Sequence, residues 1–86
     1  MLYIITREGC PYCAAAKENI SRIIMEHPGL QIMYLEETQA IMEQYDYYYT
    51  PAYFWDKEKL AEGSYSEEGV AEIISRANKL SRADTE

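Results

Sequence analysis

Three features of this 86-residue chain predict one α/β domain with the element order β-α-β-α-β-β-α. Short apolar runs of strand length alternate with segments whose apolar residues recur at a helical period. Two of the runs are separated by the turn Asp56-Lys57-Glu58, the spacing of an antiparallel hairpin. Hydrophobic residues make up 48% of the chain, enough for a packed core, and there are no repeats, linkers or low-complexity stretches. The expected architecture is a four-stranded mixed sheet flanked by three helices over residues 1–80, followed by a polar tail over 81–86.

The first strand is Leu2–Thr6, an apolar run of the buried kind. A helix runs from Pro11 to about His27. Its apolar residues Ala14, Ala16, Ile20, Ile23 and Ile24 fall close to a helical period, with Glu18, Asn19, Arg22 and Glu26 between them. Pro28-Gly29 ends it. Leu30–Leu35 is apolar on both alternating faces apart from Gln31, which predicts a strand covered on both sides. Thr38 is placed to cap a short helix carrying Ile41, Met42 and Tyr45. Ala52–Trp55 and Lys59–Glu62 are the two strands of the hairpin. Ser66 caps the last helix, with Glu67 and Glu68 in its first turn, Val70, Ile73, Ile74 and Ala77 inside, and Arg76, Lys79 and Arg82 toward its end.

Charge narrows the function classes. The net charge is −7 and the eight basic residues are scattered, which speaks against nucleic acid and anionic membrane as partners. No apolar stretch approaches the roughly 20 residues of a membrane span. A chain this short buries only about 60–65% of its unfolded surface, so its core must be compact. Two cysteines, with no charged-then-apolar leader ahead of Leu2, predict a reducing cytoplasmic setting, where a CxxC is catalytic more often than structural.

Those two cysteines are Cys10-Pro11-Tyr12-Cys13, between the first strand and the first helix. At such a junction Cys10 occupies the helix N-cap, with the free N–H groups of the first turn aimed at its sulfur. Pro11 suits the first helical position, where a missing N–H is no loss. The N–H groups of Tyr12 and Cys13 remain to stabilise a thiolate, and thiols so placed ionise at roughly pH 3.5–7.5 rather than about 8.5. Three residues on, Cys13 shares the helical face and can attack a mixed disulfide formed at Cys10. The pattern points to dithiol chemistry. Two other readings compete. A structural disulfide belongs in secreted domains with more cysteines. Half of a zinc site also opens with CxxC, but a closed site takes four ligands. The only other soft ligand here is His27, fourteen positions beyond Cys13.

The stretch Tyr3-Ile4-Ile5-Thr6-Arg7-Glu8-Gly9-Cys10-Pro11-Tyr12-Cys13-Ala14-Ala15-Ala16-Lys17 resembles the glutaredoxin branch of the thioredoxin-fold family. The resemblance returns at Thr50-Pro51 ahead of Ala52-Tyr53-Phe54, and weakly at Gly63-Ser64-Tyr65-Ser66-Glu67. It implies a thioredoxin-like fold and a thiol–disulfide oxidoreductase that acts on protein or glutathione mixed disulfides. Cys10 is then the nucleophile and Cys13 the resolving thiol. Thr50 and a cis Pro51 face them beside Tyr12 and offer backbone groups to a bound peptide or to glutathione. Arg7 stands where the family has the lysine that meets the glycine carboxylate of glutathione, and Ser66 and Glu67 where the γ-glutamyl end is held. Glutathione is the expected co-substrate, with no tightly bound cofactor and no metal ligands, in a monomer. The chain departs from the family pattern at Tyr49-Thr50-Pro51, which is closer to thioredoxin, and at Ser64, which replaces a second glycine.

Five of the nine tyrosines crowd the same region as Tyr45, Tyr47, Tyr48, Tyr49 and Tyr53, next to Phe54 and Trp55. Tyr53 or Phe54, with Trp55, is expected to fill the sheet core. Tyr47, Tyr48 and Tyr49 cannot all face inward, and an aromatic rim beside a redox site suits docking of a disulfide-containing partner protein. Three function classes follow: a glutaredoxin-like enzyme recycled by glutathione, a thioredoxin-like carrier recycled by a reductase, and a metal- or iron–sulfur-binding dimer using Cys10, as some family members form.

Overall fold

A computed structural model describes residues 1–84. Its elements are β1 (Leu2–Thr6), α1 (Pro11–Ile23) continued by a 3-10 turn over Ile24–Glu26, β2 (Ile32–Glu36), α2 (Glu37–Met42), β3 (Ala52–Trp55), β4 (Glu58–Glu62) and α3 (Glu67–Asp84). The strands lie in the order β2-β1-β3-β4. β1 runs parallel to β2 and antiparallel to β3, and β3 antiparallel to β4. The parallel pair requires a crossover, which α1 supplies. The predicted element order and mixed sheet are therefore present, in the arrangement of a small thioredoxin-like fold.

Side-chain alternation along the inner strands divides the core in two. Leu2, Ile4, Tyr53 and Trp55 point to one face, where Ala16, Ile20 and Ile23 of α1 and Val70, Ile73, Ile74 and Ala77 of α3 cover them. Ile5, Ala52 and Phe54 point to the other, with Leu35 and only Ala40 from α2. Each large aliphatic side chain buried this way contributes about 1.5–3 kcal/mol, so most of the stability resides on the α1–α3 face. Tyr53 and Phe54 are both buried along with Trp55, where one of the two was expected, because the sheet has a core on each face.

Several local expectations are corrected. β2 is an edge strand rather than one covered on both faces: Met33 and Tyr34 remain 45% and 40% exposed, because the sheet order leaves β2 without an outer neighbour. Thr38 does not cap α2. β2 runs into the helix without a loop, so Glu36 falls at the N-cap and makes no side-chain cap bond. With so short a helix only Ala40 turns inward, and Ile41 and Met42 face solvent. The hairpin loop is Asp56-Lys57, because Glu58 already pairs with Trp55; Asp56 takes the left-handed conformation at φ 54°. At the other end α3 continues to Asp84, through the first part of the expected tail; Thr85 and Glu86 lie outside the described residues.

The β3–β4 ladder contains one irregularity that matters for the site. Phe54 pairs with Lys59 but Tyr53 pairs with Ala61, so Leu60 is an unpaired bulge residue. Glu62 is thereby brought opposite Ala52, next to the loop that precedes β3. Among the described residues no helix is long and apolar enough to cross a membrane.

Candidate functional site

Beyond β1 the chain turns back through Arg7-Glu8-Gly9. The Cys10 N–H donates to the Arg7 carbonyl at 3.2 Å, and Gly9 adopts φ 78°, a conformation open to glycine at little cost. Cys10 then stands at the N-cap of α1 with extended backbone, and Pro11 opens the helix. The Cys10 carbonyl accepts from the Ala14 N–H at 3.2 Å, and its Sγ accepts from the Cys13 N–H at 3.2 Å. The thiol thus fills the place a serine or threonine hydroxyl takes in an ordinary cap.

A second segment closes over the same sulfur. The Thr50–Pro51 bond is cis, and the Thr50 hydroxyl lies 3.6 Å from Cys10 Sγ. The Pro51 carbonyl accepts from the Gly63 N–H at 2.9 Å, tying the loop to the end of β4. Both cysteines are reduced and buried, at 5% and 3% exposure, so solvent contact does not distinguish them. Electrostatics does. Burial opposes ionisation of Cys10, but the Cys13 thiol, the Thr50 hydroxyl and the N–H groups of Cys13 and Tyr12 outweigh it and bring the thiol down to about 7. Burial pushes the Cys13 thiol up, and the neighbouring Cys10 sulfur adds to this against hydrogen bonds from the Arg7 backbone and Thr50. The result is one thiol poised to ionise near neutral pH and one held protonated beside it.

The remaining expected residues are placed unevenly. Arg7 lines a groove of about 280 Å³ together with Cys10, Cys13, Lys17 and Glu36. Tyr12 is 60% exposed on the first turn of α1. Ser66 caps α3, accepting from the Gly69 N–H at 3.2 Å through its hydroxyl and from the Val70 N–H at 2.9 Å through its carbonyl. Glu67 pairs with Arg22 at 3.6 Å, in the last turn of α1. Tyr47 packs against the smaller core cluster, while Tyr48 and Tyr49 face outward at 79% and 67% exposure.

Sequence reasoning passed over two residues. Lys17 borders the groove and lies 5.1 Å above the Tyr34 ring. The signal was available, since Lys17 follows Cys13 by one helical turn on the same stripe. Glu62 carried none. Its carboxylate accepts from the Tyr48 N–H at 2.7 Å, the Tyr49 N–H at 3.1 Å and Lys59 Nζ at 2.9 Å.

For a metal the donor set is thin: among the described residues no group of three or more His, Cys, Asp or Glu converges. His27 lies beyond the opposite end of α1 from Cys10, at the C-cap of the 3-10 turn. Searches for similar proteins among family models, curated proteins and solved structures found no match.

Proposed function

We propose that this chain is a glutaredoxin-like thiol–disulfide oxidoreductase of the cytoplasm, reducing protein or glutathione mixed disulfides through Cys10 and Cys13. The observation that carries the reading is the divided environment of the two thiols: Cys10 accepts the Cys13 N–H at 3.2 Å, sits 3.6 Å from the Thr50 hydroxyl and ionises near 7, while its neighbour is held protonated. The Cys10 thiolate attacks one sulfur of the substrate disulfide RS–SR′, forming Cys10–S–SR and releasing R′S⁻. Cys13 then loses its proton and attacks Cys10 Sγ, releasing RS⁻ and leaving a Cys10–Cys13 disulfide. Two electrons have passed to the substrate. Two glutathione molecules, or a reductase, restore the dithiol.

A second reading keeps the same chemistry and changes the reductant. Ser66 and Glu67 are engaged in a helix cap and an ion pair, and Tyr48 and Tyr49 stand exposed next to Thr50. These favour a thioredoxin-like carrier that docks proteins and is recycled by a reductase. A coupled assay separates the two: reduction of a mixed disulfide driven by glutathione supports the first, and turnover with a thioredoxin reductase but not with glutathione supports the second. No disulfide reduction under either regime would overturn both.

A further inference from the structure

The loop that brings Thr50 to Cys10 has no regular secondary structure of its own between the end of α2 and the start of β3. Something must hold it, because an untethered loop samples many conformations and a single hydroxyl contact cannot select one. Among its tethers is a set of contacts from β4. Two successive N–H groups, of Tyr48 and Tyr49, converge on one carboxylate oxygen of Glu62 at 2.7 and 3.1 Å. The other oxygen receives Lys59 Nζ at 2.9 Å. The next residue after these two N–H groups is Thr50.

We propose that Glu62 is the positioning residue of the site, holding the Tyr48–Tyr49 segment so that the Thr50 hydroxyl rests against the Cys10 sulfur. The bulge at Leu60 makes this possible. Continued without it, the register Trp55↔Glu58 and Phe54↔Lys59 would set Ala61 opposite Ala52 and turn the Glu62 side chain to the other face of the sheet. With the bulge, Glu62 lies opposite Ala52 and shares the face of Phe54, where Tyr47 also packs. Gly63 follows at once, and its N–H fixes the Pro51 carbonyl at 2.9 Å, so two adjacent residues of β4's end grip both sides of Thr50. The carboxylate suits the task. The Tyr48 N–H, then Lys59 and the Tyr49 N–H, hold Glu62 below the usual carboxylate range against the effect of burial, so it stays an ionised acceptor. Charge-assisted bonds of this kind are about twice as strong as neutral ones. The consequence passes to Cys10, because the Thr50 hydroxyl is one of the groups that favour its thiolate.

The inference deepens the dithiol reading and rests on it only for its effect on turnover. The test is the pH dependence of Cys10 alkylation in the full chain, followed by peptide mass spectrometry, for wild type, Glu62→Ala, Thr50→Val and the double variant. Glu62→Ala should move the ionisation midpoint upward and slow alkylation at pH 6 about threefold, the worth of one modest hydrogen bond. Thr50→Val should do the same, and the double variant should be no slower than Thr50→Val alone, because both remove one contact. An unmoved midpoint in Glu62→Ala, whatever its melting temperature, overturns the proposal, as does a double variant slowed by the product of the two single effects. If Glu62→Ala does not fold, Glu62→Met, of similar length but without an oxygen, carries the same two outcomes. Alkylation needs no disulfide substrate. A wild-type protein that lacks turnover but shows these shifts counts against the oxidoreductase reading and leaves the role of Glu62 standing.

Discussion

Cys10 and Cys13 are held by hydrogen bonds that reach three or four residues along the chain, whereas Thr50 meets Cys10 across a separation of forty and Glu62 meets Tyr48 across fourteen. The first half of the site is a helix N-terminus and needs only α1 to form. The second half is a loop pinned between a bulged strand and the smaller core cluster, so it exists only when the sheet is complete. Local contacts supply the thiolate's N–H donors; long-range contacts supply its hydroxyl partner and whatever surface a substrate meets. Weakening the sheet should therefore affect the loop half before the helix half.

The largest effect that would break this division comes from the cysteines themselves. Cys10→Ser should reduce disulfide reduction to background. Cys13→Ser should still make the first attack and accumulate a mixed disulfide, visible as an added mass on Cys10. A Cys10→Ser protein that retains turnover would show that the helix N-cap does not carry the nucleophile.

A graded test follows from ionisation. The Cys10 thiol is lowered to about 7, so its thiolate fraction should rise through that pH and level off above it, while Cys13, raised by burial and by its neighbour, should stay unreactive beyond the ordinary thiol range. Alkylation at pH 7 should accordingly label Cys10 many times faster than Cys13. Equal labelling would mean that the N–H donors of the first turn do not set the reactivity.

Smaller again is the effect expected at the groove. Arg7 is an exposed cation beside the pair, and Arg7→Glu should lower glutathione-dependent turnover several-fold through local charge while leaving reduction by dithiothreitol unchanged. Equal loss with both reductants would assign Arg7 to the chemistry or the fold rather than to the anionic tripeptide.

The smallest expected effect lies in β3, directly after the loop. Among the described residues the buried Tyr53 hydroxyl has no hydrogen-bond partner, and its ring packs edge-on to Tyr65 at 6.5 Å between centroids. Tyr53→Phe keeps the ring and removes the lone polar atom, so thermal unfolding should show stability raised by about 1 kcal/mol. A loss of stability instead would reveal a partner for that hydroxyl and make it part of the long-range half of the site.

The sequence reading succeeded where neighbours along the chain make the structure. Leu2–Thr6, the Cys10 cap, Pro11 at the helix start and the Ser66 cap were all legible, because each rests on the conformational habits of a few adjacent residues. It failed at β2 and α2. Leu30–Leu35 was apolar enough for a strand covered on both faces, and Ile41 and Met42 were apolar enough for a core, yet neither composition says which strand will be the sheet's edge or how short the covering helix will be.

Element order, the dithiol pair at the mouth of α1 and an inward Trp55 follow from the residues in line, since periodicity and capping chemistry act over a few residues. The packed fold sets β2 at the edge, ties Ser66 into the cap of α3 and Glu67 to Arg22, and leaves Tyr48 and Tyr49 in solvent while Tyr47 packs inward. It alone placed Glu62 under the Thr50 loop. The reason is register: one bulged residue at Leu60 chooses the face on which Glu62 emerges, and the bulge exists only in the pairing of β4 with β3.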